Sequence, residues 1–231
     1  MNRNFLKYIA VAAMLCDHIA LVFVGMNNPV GVAMRFFGRL TAPIMCYFLV
    51  EGFVHTRSKK KYGIRLFIFA IISQIPFSYL VTGKLFDKKL NMIFTLFFCF
   101  MILVCLEKIS NRFLRVICAF GFAILCTLGD WGVMAPLWIL VFVSCRDDKN
   151  KMNVLYLLTC VFWLARCISL AVGEGNAWHS VLWQAGSVGF IPLIYFYNGQ
   201  GGKSSKFSKW FFYWFYPAHI LILAVIFRNI L

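Results

Sequence analysis

Residues 59–82 read KKKYGIRLFIFAIISQIPFSYLVT, a block of three lysines running into an apolar stretch that reaches Thr82. Arg65 is charged, but it lies close to the lysine end. About 20 apolar residues are what an α-helix needs to cross a hydrocarbon core about 30 Å thick, at about 1.5 Å per residue. Basic residues at the end of such a helix mark its cytoplasmic side. The stretch therefore predicts a membrane-crossing helix over 62–82 with Lys59, Lys60 and Lys61 in the cytoplasm.

Working outward, eight further apolar runs bounded by charged or turn residues predict helices at 5–26, 30–54, 91–106, 113–128, 132–145, 153–171, 178–197 and 210–229. The run at 132–145 is short and contains Pro136, so it is expected to re-enter on one face or to share a bent hairpin with the helix before it. Composition agrees with this pattern. The chain is 62% hydrophobic and 13% charged, with mean hydropathy +0.80, whereas soluble domains carry about 25% charged residues. Nine helices with short connections use up 231 residues. The fold class is therefore all-α: a polytopic membrane protein with about nine transmembrane helices, one domain over 1–231, sited in the plasma membrane and in contact with the lipid bilayer.

The formal net charge of +15 raises the question of nucleic acid. The basic residues, however, sit in short clusters between apolar runs, and nucleic acid is rejected as a partner. With the N-terminus cytoplasmic, the inner segments hold Arg3, Lys7, Arg57, Lys59, Lys60, Lys61, Arg65, Lys108, Arg112, Arg115, Arg146, Lys149, Lys151, Lys203, Lys206 and Lys209. The outer ones hold Lys84, Lys88, Lys89 and Arg228. That asymmetry predicts a cytoplasmic N-terminus. The first run follows Arg3 and Lys7 as a signal peptide would, but it is long, carries Asp17 and His18, and lacks a small-x-small cleavage pattern, so it is expected to be retained.

The nine cysteines lie mostly within apolar runs, without a C-x-x-C pair or a histidine-rich neighbour, and predict buried or lipid-facing thiols with neither disulfide nor metal. The stretch NGQGGKSSK at 198–206 lacks the spacing of a phosphate-binding loop and reads as a linker.

Chemistry is sought in the ionisable residues placed inside the membrane: Asp17, His18, Arg35, Arg39, Glu51, Arg166 and His219. Each costs at least about 2.5–3.5 kcal/mol at mid-helix, so such groups normally face a cavity or a partner. Counting from the outer helix ends puts His18 and Arg39 at a similar depth of about 12–14 Å, with His219 near the middle of its span and Arg166 outward of the middle. Asp17 and His18 are adjacent, so on a helix their side chains diverge by about 100° and a simple Asp-His dyad is not implied. Arg35 and Arg39 are four apart on one face and offer Asp17 a partner. A structural ion pair is the plain reading of that set, and a satisfied buried histidine is the plain reading of His18. Two histidines in one polar layer argue jointly for function.

A second cluster, Glu51, His55, Thr56, Arg57, Lys59, Lys60, Lys61, Tyr62 and Arg65, lies at the inner face. The three lysines read most simply as a topology-setting loop. Arg57 and Arg65 flank that loop and suit the phosphates of a bulky anionic donor. Asp130, in the GDWG stretch at 129–132, falls at the outer end of a hairpin, where it reads equally as a turn residue. The aromatic run WFFYWFY at 210–216 reads as an interfacial belt.

Taken in order, these residues resemble the TraX family of membrane acetyltransferases. The resemblance rests on Leu6, Lys7, Ile9, Ala10, Met14, Asp17 and His18; on Arg35, Gly38, Arg39, Pro43, Gly52, His55, Thr56 and Arg57; on Tyr62, Arg65, Leu66, Gln74, Ile75 and Pro76; and on Asn91, Thr95, Asp130, Gly132, Tyr216, Pro217 and His219. It runs from the first helix to the last, and Asp-His, Gly-Arg, His-Thr-Arg and a terminal Tyr-Pro-x-His in that order carry it. Trp131 departs from the tyrosine the pattern leads one to expect.

The resemblance implies an acetyl-CoA-dependent acyltransferase that moves an acetyl group from cytoplasmic acetyl-CoA, its co-substrate, to a pilin-like peptide, a surface glycan or a small molecule. His18 is then expected as general base or nucleophile, because its ordinary pKa near 6.5 suits proton transfer at neutral pH. Arg39 is expected to stabilise the oxyanion, with Asp17 and His219 in the same catalytic set. Arg57, Arg65, His55 and Glu51 are expected on the donor side, and Arg35, Asp130, Arg166 and Tyr216 on the acceptor side. A small proton-coupled carrier using Asp17, His18 and Glu51 is the competing class, and a non-catalytic assembly factor the third.

Overall fold

The computed structural model describes residues 1–201 and 206–230; Lys203 lies outside the described residues, as do the side chains of Lys206 and Lys209. The described residues form ten α-helices: α1 Arg3–Ile19, α2 Pro29–Gly38, α3 Thr41–His55, α4 Lys59–Thr82, α5 Met92–Lys108, α6 Arg112–Cys126, α7 Met134–Ser144, α8 Lys149–Gly173, α9 Phe190–Tyr195 and α10 Lys206–Ile230. A π-turn, Ala20–Val24, continues α1, and a 3-10 helix, Trp178–Gly189, precedes α9. No strand occurs among the described residues. Short polar residues start most of the helices. Asn2, Asn28, Ser58, Asn91, Asn111 and Asp148 each accept a first-turn amide hydrogen through the side chain, satisfying donors that the helix itself leaves over.

Five stretches among the described residues are long and apolar enough to cross a membrane: Arg3–Val24, Pro29–His55, Lys59–Thr82, Lys149–Gly173 and Trp210–Asn229. The apolar helices α5, α6 and α7 have 17, 15 and 11 residues and fall short of the 18-residue length met by those five.

Two expected helices differ in the structure. The run 30–54 is not one helix but α2 and α3, broken at Arg39 and Leu40. The amide of Arg39 reaches back to Arg35 and Phe36 together, and Pro43 has no N–H to return to the Arg39 carbonyl, so the ladder stops there. The run 178–197 is not one α-helix; it is the 3-10 helix followed by the six-residue α9. Glycine at 186 and 189 accounts for this. A Cβ on Gly186 would lie 1.9 Å from the Phe36 carbonyl oxygen and one on Gly189 2.9 Å from the Leu40 side chain. Residues three apart eclipse one another in a 3-10 helix, so both glycines present the same bare face to the end of α2.

The described chain divides into two compact units. One comprises Met1–Met45 and Cys145–Phe212, the other Cys46–Ser144 and Tyr213–Leu231. In the first, α1 packs on α2, and the 3-10 helix packs on both α2 and α8. Leu6, Ala10, Val11, Ala13 and Met14 form the buried stripe of α1, at the three- and four-residue spacing of one helix face. Tyr156 of α8 is fully buried and donates its hydroxyl to the Ser187 carbonyl at 2.7 Å. In the second unit α5 is the central helix, packed against α4, α6 and α7. Its buried residues, from Met92 through Cys105, run along most of the helix, as expected of a helix hydrophobic all round. All nine cysteines are free thiols.

Candidate functional site

In the unit containing α1, Asp17 is the meeting point of α1 and the end of α2. Its Oδ2 accepts a hydrogen bond from Arg35 Nη1 at 2.9 Å and its Oδ1 one from Arg39 Nη2 at 2.6 Å. The three side chains are only 12–14% exposed. Both arginines contribute because they stand four residues apart, Arg35 in the last turn of α2 and Arg39 at its C-cap, and so share one side. The approach of α1 depends on Gly38, since a Cβ there would lie 2.5 Å from the Cβ and Oδ1 of Asp17.

Trp183 completes the cluster. Its ring lies 4.5 Å from the Arg35 guanidinium carbon and 4.7 Å from that of Arg39, within the roughly 6 Å over which a cation is drawn to an indole face. Trp183 stands three residues before Gly186 and six before Gly189, on the face that the 3-10 period turns toward α2. Two guanidiniums thus share one carboxylate and one indole face.

His18 is the next residue on α1 and is half-buried. The carboxylate beside it is engaged by α2, so Asp17 braces the arginines, as expected from their spacing. The π-turn Ala20–Val24 begins two residues after His18; such turns disturb helical register and recur near functional sites. Arg166 also belongs to this unit, on α8, where it is exposed.

The other unit holds a buried amide network. Asn91 is fully buried, and Gln74 nearly so. Asn91 Nδ2 donates to the Ala70 carbonyl at 2.8 Å and to Gln74 Oε1 at 2.9 Å, while Asn91 Oδ1 accepts the amides of Ile93 and Phe94 at the start of α5. Gln74 Nε2 donates to the Lys89 carbonyl at 2.8 Å and to the Ser78 hydroxyl at 3.1 Å. From α10, the buried Tyr216 hydroxyl accepts the Met92 amide at 3.3 Å. Asp130 Oδ1 lies 3.1 Å from Lys89 Nζ, just outside the same network. His219 stacks on Phe215, and its Nδ1 lies 2.7 Å from the Phe215 carbonyl oxygen. A neutral imidazole must donate from that nitrogen, which leaves Nε2 as its acceptor.

At the corner between α3 and α4, Glu51 is half-buried, and His55 and Arg57 are exposed. Arg65 is half-buried beside Tyr62, its guanidinium carbon 5.6 Å from the ring, and its buried Nε has no hydrogen-bond partner among the described residues. Tyr62 reaches this corner because residue 52 is glycine; a Cβ there would lie 2.9 Å from the Tyr62 hydroxyl.

The structure thus brings together Asp17, Arg35 and Arg39 in one unit. It places Tyr216 and Asp130 around Asn91 and Gln74, and Glu51, His55, Arg57 and Arg65 around the corner, in the other. The contribution of Trp183 was not predicted from sequence. Its signal was the spacing of Trp183, Gly186 and Gly189, legible only if that run is read with a period of three.

The family model described as TraX protein matches residues 2–227 of this chain. A protein of Dichelobacter nodosus named "Probable fimbrial assembly protein FimC, serogroup H1" is 31% identical over 241 residues, covering 97% of each chain. No solved structure matches.

Proposed function

The chain belongs to the TraX family, and from that premise we propose that it is a membrane-embedded acetyltransferase that takes acetyl groups from cytoplasmic acetyl-CoA and delivers them to the N-terminal amine of a pilin-like subunit. The observation that carries this reading is the Asp17–Arg35–Arg39–Trp183 cluster, two largely buried guanidiniums fixed on one carboxylate, with His18 as the next residue on α1. Acyl transfer from a thioester needs those two things, a proton acceptor for the attacking group and fixed positive charge for the oxyanion. The acceptor class is favoured by the relative named a fimbrial assembly protein.

In this reading His18 removes the proton from the acceptor ammonium, and the freed amine attacks the acetyl carbonyl carbon. The carbonyl oxygen takes the negative charge, facing Arg39, which Asp17 and Trp183 hold in place. The oxyanion then collapses, the C–S bond breaks, and coenzyme A leaves as its thiol with the proton from the amine. Arg57 and Arg65, with His55 and Glu51, hold the donor on the cytoplasmic side. The orphaned Nε of Arg65 supports this, because a buried guanidinium nitrogen without a partner is a site for an anion. His219, through Nε2, belongs to the catalytic set, and Arg35, Asp130, Arg166 and Tyr216 serve the acceptor side.

The same reading places the protein in the plasma membrane with a cytoplasmic N-terminus and nine membrane-crossing segments, the shorter α5, α6 and α7 among them. The charge asymmetry of its loops supports the orientation.

The test is a transfer assay with purified protein, acetyl-CoA and a pilin-like peptide with a free N-terminus, read by mass spectrometry beside calorimetric titration of acetyl-CoA. Wild type should bind the donor and modify the peptide amine. His18→Ala should lose a factor of about 10²–10⁴ in turnover while keeping donor affinity. Wild-type turnover by that variant would remove His18 from the chemistry, and failure of wild type to bind acetyl-CoA would point to a carrier.

A further inference from the structure

We propose that the trough between α4 and α5 binds an anionic phospholipid, with its phosphate between Lys60 and Lys108 and the upper part of one acyl chain along Ile64, Phe67 and Met101. The trough encloses about 420 Å³, within the range of about 300–1,000 Å³ typical of ligand sites. All of its lining comes from residues 59–108, within one compact unit. Its floor exists because residue 63 is glycine: a Cβ there would lie 2.9 Å from the Phe100 ring, so the bare backbone lets that ring close the base of the trough. Ile64 and Phe67 stand 48% and 43% exposed along one wall.

The two ends of the trough differ in chemistry. Lys59, Lys60, Glu107 and Lys108 sit at one end, and apolar side chains fill the rest. Glu107 is engaged by Lys59, so the remaining two lysines give that end an excess of positive charge. The electrostatics of α4 ask for an anion at the same place. Its first turn holds three lysines and no acid, opposite to what the positive end of a helix dipole favours. A phosphate between Lys60 and Lys108 offsets both repulsions.

The apolar part decides what carries the phosphate. From Lys60 to Phe67 the trough runs about 10 Å along α4, room for a glycerol unit and the first part of a chain, whereas a free phosphate uses only the basic end. The location matches a lipid as well, since Lys59 begins a helix long and apolar enough to cross the membrane. Basic pockets at such helix ends select anionic headgroups. Neither Arg57 nor Arg65 lines the trough, so this site is separate from the donor site proposed above and does not rest on it.

Native mass spectrometry of the full chain in a neutral detergent, titrated with dioleoylphosphatidylglycerol or dioleoylphosphatidylcholine, tests the assignment without any activity assay. Wild type should retain phosphatidylglycerol about tenfold more tightly. Lys60→Ala and Lys108→Ala should each weaken that lipid about fivefold and leave phosphatidylcholine unchanged, while Lys61→Ala, outside the trough, should change neither. Ile64→Trp, which fills the trough and keeps every lysine, should also lose phosphatidylglycerol. Equal retention of the two lipids by wild type overturns the proposal, as does an unaltered preference in the Lys60→Ala/Lys108→Ala double variant. Displacement of the lipid by inorganic phosphate or coenzyme A assigns the lysines to a soluble anion and overturns it too.

Discussion

Replacing Asp17 with alanine should be among the most destabilising single changes in the chain, because it strands two cations at once. The carboxylate accepts one bond from each arginine, at 2.9 and 2.6 Å, and all three side chains are at least 86% shielded. Removing one partner from a buried ion pair costs about 3–5 kcal/mol, most of it the penalty of the charge left behind. At about 2–4 °C of melting temperature per kcal/mol for a chain of this size, Asp17→Ala should melt roughly 6–20 °C lower in detergent, followed by thermal-shift fluorescence. Arg35→Ala should cost less, about 1.5–3 kcal/mol, since Asp17 keeps its 2.6 Å bond to Arg39. The triple change Asp17→Leu, Arg35→Met and Arg39→Met should recover most of the lost stability, as apolar replacements of buried ionic triads commonly do. If the cluster serves catalysis, the triple variant should be folded and inactive. An Asp17→Ala protein melting within about 2 °C of wild type would refute the reasoning, because it would mean that water or another group already satisfies the arginines.

Arg57→Ala and Arg65→Ala should each weaken acetyl-CoA binding by about 1.5–3 kcal/mol, with turnover at saturating donor largely kept and Lys restoring only part of the loss; unchanged affinity in both, by calorimetry, would displace the donor site. Asn91→Ala should destabilise by about 2–4 kcal/mol, combining a lost helix cap of about 1 with stranded buried partners of about 1–3, whereas the exposed cap variant Asn111→Ala should lose only about 1; comparable melting of the two variants would count against the amide network. Lys60→Cys, on a background free of native cysteines, should react with an impermeant thiol reagent only from the cytoplasmic side, and labelling from outside alone would invert the topology.

The helix positions were legible because apolar runs and their polar caps are local signals. The α4 run, expected over 62–82, ends at Thr82 in the structure, where Gly83 takes the left-handed conformation at φ +74 that stops the helix. The break at Arg39 was harder to see, since its causes, Gly38 against Asp17 and Pro43, act between helices or a turn later. The segment 178–189 has the composition of a span, and only contact with the end of α2 makes it a 3-10 helix. For the same reason Trp183 could not be placed, because an aromatic stacked on two arginines far away in sequence leaves no periodicity of its own. Asp17 was legible as a partner of the arginine pair from spacing alone. Gln74 and Asn91 were visible only as parts of a family pattern, and the structure supplies their work: one ties α4 to the 83–90 loop, and the other ties α5 to α4.

The Gln74–Asn91 bond also bears on how the chain enters the bilayer. Alone in hydrocarbon, either amide would leave donors and acceptors with no water to meet them, at a cost of several kcal/mol. Side by side, α4 and α5 cancel most of that cost, because each amide is the other's solvent. The two helices therefore favour insertion as one hairpin, with 83–90 at its leading tip in the orientation proposed above, and a ribosome pausing between them would hold a segment that is not yet ready to leave the insertion machinery.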